Sequence, residues 1–168
     1  MAHSRKVTAP AERIDISYKY LASISPDLHS AANELSNTIN ELNDALEPLS
    51  LGVTAWATIA SGRDDSNGYY WNRSIGYTQV DSQWGIALKQ ASGNHNYDDH
   101  DEQIWAFSKA PRWMAIESIA KLPELFESLI ERVEDTTEKL NARADQTREL
   151  LAVIKAAAAE IAAPKATE

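Results

Sequence analysis

Apolar residues recur in alternating steps of four and three along two long stretches of the chain, while the stretch between them is rich in β-branched and aromatic residues. The first stripe runs through Ile14, Tyr18, Leu21, Leu28, Leu35, Ile39, Leu42, Leu46 and Leu49, with Ser25 and Ala32 as weak members. The second runs through Leu122, Phe126, Leu129, Val133, Leu140, Leu150, Ile154 and Ile161, interrupted by Thr136, Arg143 and Thr147. This spacing turns one side of a helix toward a partner and predicts two long helical segments.

Local signals set the boundaries. Ser25-Pro26-Asp27 combines an N-cap residue, a first-turn proline and a first-turn acid. The first stripe therefore predicts two helices, about 11–24 and 26–47, or one helix kinked at Pro26, closed in either case by Pro48. From Leu51 onward, strands are expected at 53–59, 69–80, 83–90 and 103–108. Turn chemistry at Arg63–Gly68, a tight Asp81-Ser82 connection and a polar loop at Gly93–Glu102 join them. Pro111 opens the last helix, which passes a kink site at Pro123 and runs to about Ala162.

The expected fold is α+β. An antiparallel β-meander of about four strands (51–108) is inserted between an N-terminal helical segment (11–49) and a long C-terminal helix (111–162), in one domain with flexible tails at 1–10 and 163–168. A two-residue turn at Asp81-Ser82 would set Ile75 against Leu88, Tyr77 against Ile86 and Gln79 against Trp84. Those residues and Trp71 form a bulky face; Ser74, Gly76, Thr78, Gly85, Ala87 and Lys89 form a flat one.

The two helices leave a common head and should pair as an antiparallel, coiled-coil-like hairpin. Setting Leu49 against Leu122 brings Leu42 to Leu129, Ile39 to Val133, Leu35 to Thr136 and Ala32 to Leu140, and farther out Leu21 to Leu150. The expected helix interface is Leu35, Ile39, Leu42, Leu129, Val133 and Leu140. The weak layers coincide, with Ser25 and Pro26 beside Arg143 and Thr147. Ile119, Leu125, Ile130 and Leu151 widen the second stripe beyond what one neighbour covers, so a homodimer containing a four-helix bundle is expected.

Composition narrows the classes. At 168 residues with 43% hydrophobic content, the chain can bury a single core. A net charge of −9 opposes binding to nucleic acid, and no Lys or Arg occurs between Lys19 and Arg63. The acidic run Glu124, Glu127, Glu131, Glu134, Asp135 and Glu138 makes a basic protein a candidate partner. The absence of cysteine excludes disulfides, and the lack of an apolar leader or spanning stretch leads to the expectation of a cytoplasmic protein with no membrane partner.

Candidate chemistry is sparse. Residues 94–102 hold two histidines and four carboxylates, of which His95, Asp98 and His100 are weak candidates for a metal site; their spacing matches no metal motif. Asp64–Gly68 offers calcium-type oxygens without the required loop spacing. Trp71, Tyr77, Trp84 and Trp105 are the candidate surface for a ligand or partner. No cofactor motif and no convergent acid, base and nucleophile pattern is present, so no catalytic residue and no cofactor is assigned. The expectation is a non-enzymatic interaction or assembly module that self-associates through its helices. The alternative is a small-molecule-binding protein or metal-dependent enzyme using the aromatic sheet face and the 94–102 loop.

Overall fold

The computed structural model describes residues 10–97 and 99–162; of the expected tails at 1–10 and 163–168 all but Pro10, which opens the first helix, lie outside the described residues, as does Asp98. Helix α1 spans Pro10–Leu46 and is followed by a short 3-10 turn over Glu47–Leu49. Four strands follow, β1 (Ala55–Asp64), β2 (Tyr69–Val80), β3 (Gln83–Asn94) and β4 (Asp99–Ala106). They form one antiparallel sheet in the order β1-β2-β3-β4. After a second 3-10 turn come α2 (Arg112–Ser118), a third turn over Ile119–Lys121, and α3 (Leu122–Ala162). The architecture is the expected α+β arrangement of N-terminal helix, meander and long C-terminal helix.

Several local outcomes have identifiable causes. Pro26 sits inside an uninterrupted α1. Its missing N–H frees one acceptor, and nearby polar side chains also bond the local backbone: Ser23 Oγ donates to the Tyr20 carbonyl, and His29 Nδ1 lies 2.7 Å from the Ser25 carbonyl oxygen. The last helical region is divided just before Pro123, where the 3-10 turn over Ile119–Lys121 separates α2 from α3. Asp81 and Ser82 both take left-handed conformations, φ 51° and 68°, which is the geometry of a two-residue hairpin matched to strand twist. The resulting register pairs Ile75 with Leu88, Tyr77 with Ile86 and Gln79 with Trp84, as expected.

The segment Gly93–Glu102, expected to be a loop, is largely strand. β3 continues to Asn94 and β4 begins at Asp99, with Asn94 paired to Asp99 and Ser92 to Asp101. β4 is an edge strand, where charges remain hydrated while the backbone completes its ladder, and those charges discourage pairing with foreign strands. On the opposite edge, β1 carries a bulge between Thr58 and Ala60, which leaves Ile59 as the additional residue.

The core lies on one face of the sheet. Ala55, Ala57, Ile75, Tyr77, Ile86 and Leu88 meet Ile39 and Leu46 of α1, Met114 and Ala115 of α2, and Leu125 and Leu129 of α3. Each helix docks on its own strands, α1 against β3 and α3 against β1 and β2. The inner seam residues are therefore buried by packing on the sheet rather than by an extended α1–α3 seam among the described residues. Ile39 and Leu129 are 2% and 4% exposed, but Leu21, Leu140 and Leu150 are 60%, 65% and 64% exposed. The sheet fixes where the inner halves lie; beyond its edge neither helix finds apolar cover among the described residues.

Candidate functional site

Three regions collect the chemistry: the hairpin tips, the aromatic face and the cleft at the opposite end of the sheet. At the tips, Asn67 and Asn94 lace two turns together. Tyr69 N–H donates to Asn67 Oδ1, while Asn94 Nδ2 and Asn96 Nδ2 both donate to the Asn67 carbonyl at 3.0 Å. The Ser66 hydroxyl, followed by the Ser66 N–H, donates to Asp64 and holds its carboxyl below the ordinary range. These oxygens serve the turn itself.

His95 and His100 gather on Tyr70. The His95 ring stacks on Tyr70 with centroids 4.5 Å apart, and Tyr70 Oη lies 2.8 Å from His100 Nδ1. Both histidines are exposed. Asp98, the third weak metal candidate, lies outside the described residues. Among the described residues no group of three or more histidines and carboxylates is arranged to hold a metal ion.

The four aromatic candidates share one sheet face by register, yet they serve different neighbourhoods. Trp71 lies across Gly62, where an added Cβ would collide with its indole. Arg73 fits between two rings, 4.6 Å from the Trp71 centroid and 4.9 Å from that of Trp113, and pairs with Glu117 at 3.0 Å. Trp105, opposite Leu88, is half-buried at the margin of the core. Tyr77 and Trp84 stack at 5.6 Å near the Asp81-Ser82 turn, about 20 Å along the strand from Trp71. On the flat face, Trp56 covers Gly76, where any Cβ would collide with its ring, and Lys89 Nζ sits 4.4 Å from that ring. Arg73, Trp56 and Lys89 form long-range contacts that periodicity alone does not reveal.

The basal cleft has a volume of about 620 Å³ and opens between the end of α1 and the β2–β3 hairpin. Asn40, Asp44 and Glu47 follow at helical spacing, beside the buried stripe residues Ile39 and Leu46. Asn43 anchors the helix to the sheet: its Oδ1 accepts the Ile86 N–H at 2.8 Å where β4 has ended. Tyr77 and Trp84 close the other wall. Tyr77 is 3% exposed, yet its hydroxyl makes no hydrogen bond among the described residues and the residue lines the cleft. Burial, and secondarily the charge of Glu47, raise the Tyr77 phenol above the usual tyrosine range.

The helix-interface residues divide between core and solvent. Ile39 and Leu129 are buried, Leu35, Leu42 and Val133 are half-buried, and Leu140 projects into solvent. No helix among the described residues is long and apolar enough to cross a membrane. Comparison with known proteins gives no match to a family model, a characterised protein or a solved structure.

Proposed function

We propose that the protein is a non-enzymatic assembly module that self-associates through the outer halves of α1 and α3. The observation that supports this reading is the continuation of both apolar stripes past the sheet into solvent. Ile14, Tyr18 and Leu21 on α1, and Leu140, Leu150 and Ile154 on α3, are all at least 60% exposed. Isolated large apolar residues on a surface need no explanation, but two continuous stripes on helices that outrun the sheet do. The α3 arm beyond Thr136 extends about 39 Å at 1.5 Å per residue, a length that propensity alone sustains poorly in water.

A second copy is the occupant whose pattern matches. Both arms carry the same four-and-three stripe, weak at Ser25 on α1 and at Arg143 and Thr147 on α3, and pairing two arms from each chain would give an antiparallel four-helix bundle. Exposed ion pairs such as Lys19–Asp15 and Lys139–Asp135 lie within single helices and contribute little by themselves. A basic protein is then a partner for the assembled acidic surface, which carries the excess charge of the chain.

Sedimentation equilibrium across the micromolar range tests the assembly. A mass approaching twice the 18.6 kDa chain mass supports the reading. A mass of one chain at every concentration contradicts it.

A further inference from the structure

We propose that the basal cleft between the end of α1 and the β2–β3 hairpin is a binding site for a guanidinium-bearing cation. This inference does not depend on the self-association of the arms. It rests on charge, shape and a hydroxyl without a protein partner among the described residues, which converge at one place.

Charge comes first. A helix concentrates partial negative charge at its C-terminal end, where basic side chains normally compensate it. The last turn of α1 contains no basic residue. Asp44 and Glu47 occupy that end instead, and neither forms an ion pair or side-chain hydrogen bond among the described residues. Among the described residues no Lys, Arg or His lines the cleft. Lys109, from the 3-10 turn after β4, lines the adjoining pocket and is engaged with Asp81 at 3.0 Å. Among the described residues the cleft is thus negative and carries no lining cation.

Shape narrows the ligand. Trp84 is 39% exposed and stacks on Tyr77, so the wall beside the carboxylates is an aromatic platform fixed by the core. A flat, weakly hydrated guanidinium can stack on an aromatic ring while its in-plane N–H groups reach several acceptors; a compact ammonium does this less well. Tyr77 adds a third feature. Its ring is buried, its hydroxyl is unpartnered among the described residues, and it lines the cleft. A guanidinium N–H donated to Tyr77 Oη, with others donated to Asp44 and Glu47, would engage all three acceptors in place of water.

A free small molecule or an arginine side chain of a polypeptide could supply this chemistry. The experiment titrates the full-length protein with agmatine, with an acetyl-Gly-Arg-Gly amide, and with the citrulline version of that peptide, which is neutral and nearly isosteric. Binding is followed by calorimetry and by the indole N–H resonance of Trp84. Saturable binding of a guanidinium probe, with a dissociation constant on the order of 1 mM or tighter, is expected, and the citrulline peptide should bind at least about tenfold more weakly. Binding of both guanidinium probes means that the cation alone suffices; binding of the peptide alone assigns the site to a polypeptide side chain.

The paired substitution Asp44→Asn with Glu47→Gln should weaken binding at least about tenfold, and Tyr77→Phe about threefold. Asp65→Asn with Asp99→Asn removes the same charge at the hairpin tips and should leave binding unchanged. Equal binding of the citrulline peptide, equal loss in the tip variant, or no saturation by any probe up to about 10 mM overturns the proposal.

Discussion

The inner and outer halves of the two long helices carry one sequence pattern and meet opposite environments. Ile39 and Leu129 sit on the sheet and are nearly inaccessible, whereas Leu21 and Leu150 continue the same stripes in solvent. The difference lies in the sheet. β2 and β3 provide a platform of Ile75, Tyr77, Ile86 and Leu88, which is covered by helix only where the two overlap. A heptad stripe therefore reports that a face needs cover, not which surface supplies it. Within one chain the sheet covers the inner halves, and under the assembly proposal a second copy covers the arms.

Placing the same charge in both regions should separate them most sharply. Leu129→Asp buries a carboxylate in the core and should cost at least about 4 kcal/mol of folding stability, read as a lower urea midpoint. Leu150→Asp should leave the folded head intact by near-ultraviolet circular dichroism, while raising the dimer dissociation constant at least about 100-fold, equivalent to about 3 kcal/mol. Loss of the head's tryptophan signal in Leu150→Asp would show that arm and head are one cooperative unit.

Smaller effects sharpen the account of the sheet. Arg73→Ala removes a cation held between Trp71 and Trp113 and paired with Glu117, and should cost about 1–2 kcal/mol in thermal or urea unfolding. Tyr77 predicts a pH effect at the basal end. Its phenol is raised above the ordinary value near 10, so the folded state favours the protonated form. Its contribution is complete below the unfolded pKa and is lost as pH rises through the folded pKa. Alkaline destabilisation should therefore be reduced in Tyr77→Phe, measured against wild type above pH 10. The smallest change is Ser82→Gly, which relieves a left-handed residue at φ 68° and should stabilise by about 0.5–1 kcal/mol in the same unfolding assay.

Much of this architecture was legible because its causes are local. Asp81-Ser82 determines the β2–β3 register, and through it the face shared by Trp71, Tyr77 and Trp84. The charged run Asp99–Glu102 was misleading, because polarity that marks a loop is also tolerated on an edge strand. The bulge at Ile59 leaves no turn signature in the sequence. The site was less legible than the fold. The gap in basic residues from Lys19 to Arg63 was visible, but the meeting of Asp44 and Glu47 with Trp84 depends on how α1 docks on β3. Arg73 between two tryptophans is likewise a tertiary contact, with partners 2 and 40 residues away in sequence.

Hydrogen exchange at two protein concentrations compares the two halves most directly. At about 100 μM, where the assembly account predicts dimer, arm amides over 10–24 and 137–159 should exchange slowly. Below the dissociation constant they should exchange rapidly, while β2 and β3 remain protected at both concentrations. Arm exchange that is equally fast, or equally slow, at both concentrations would contradict cover by a second copy.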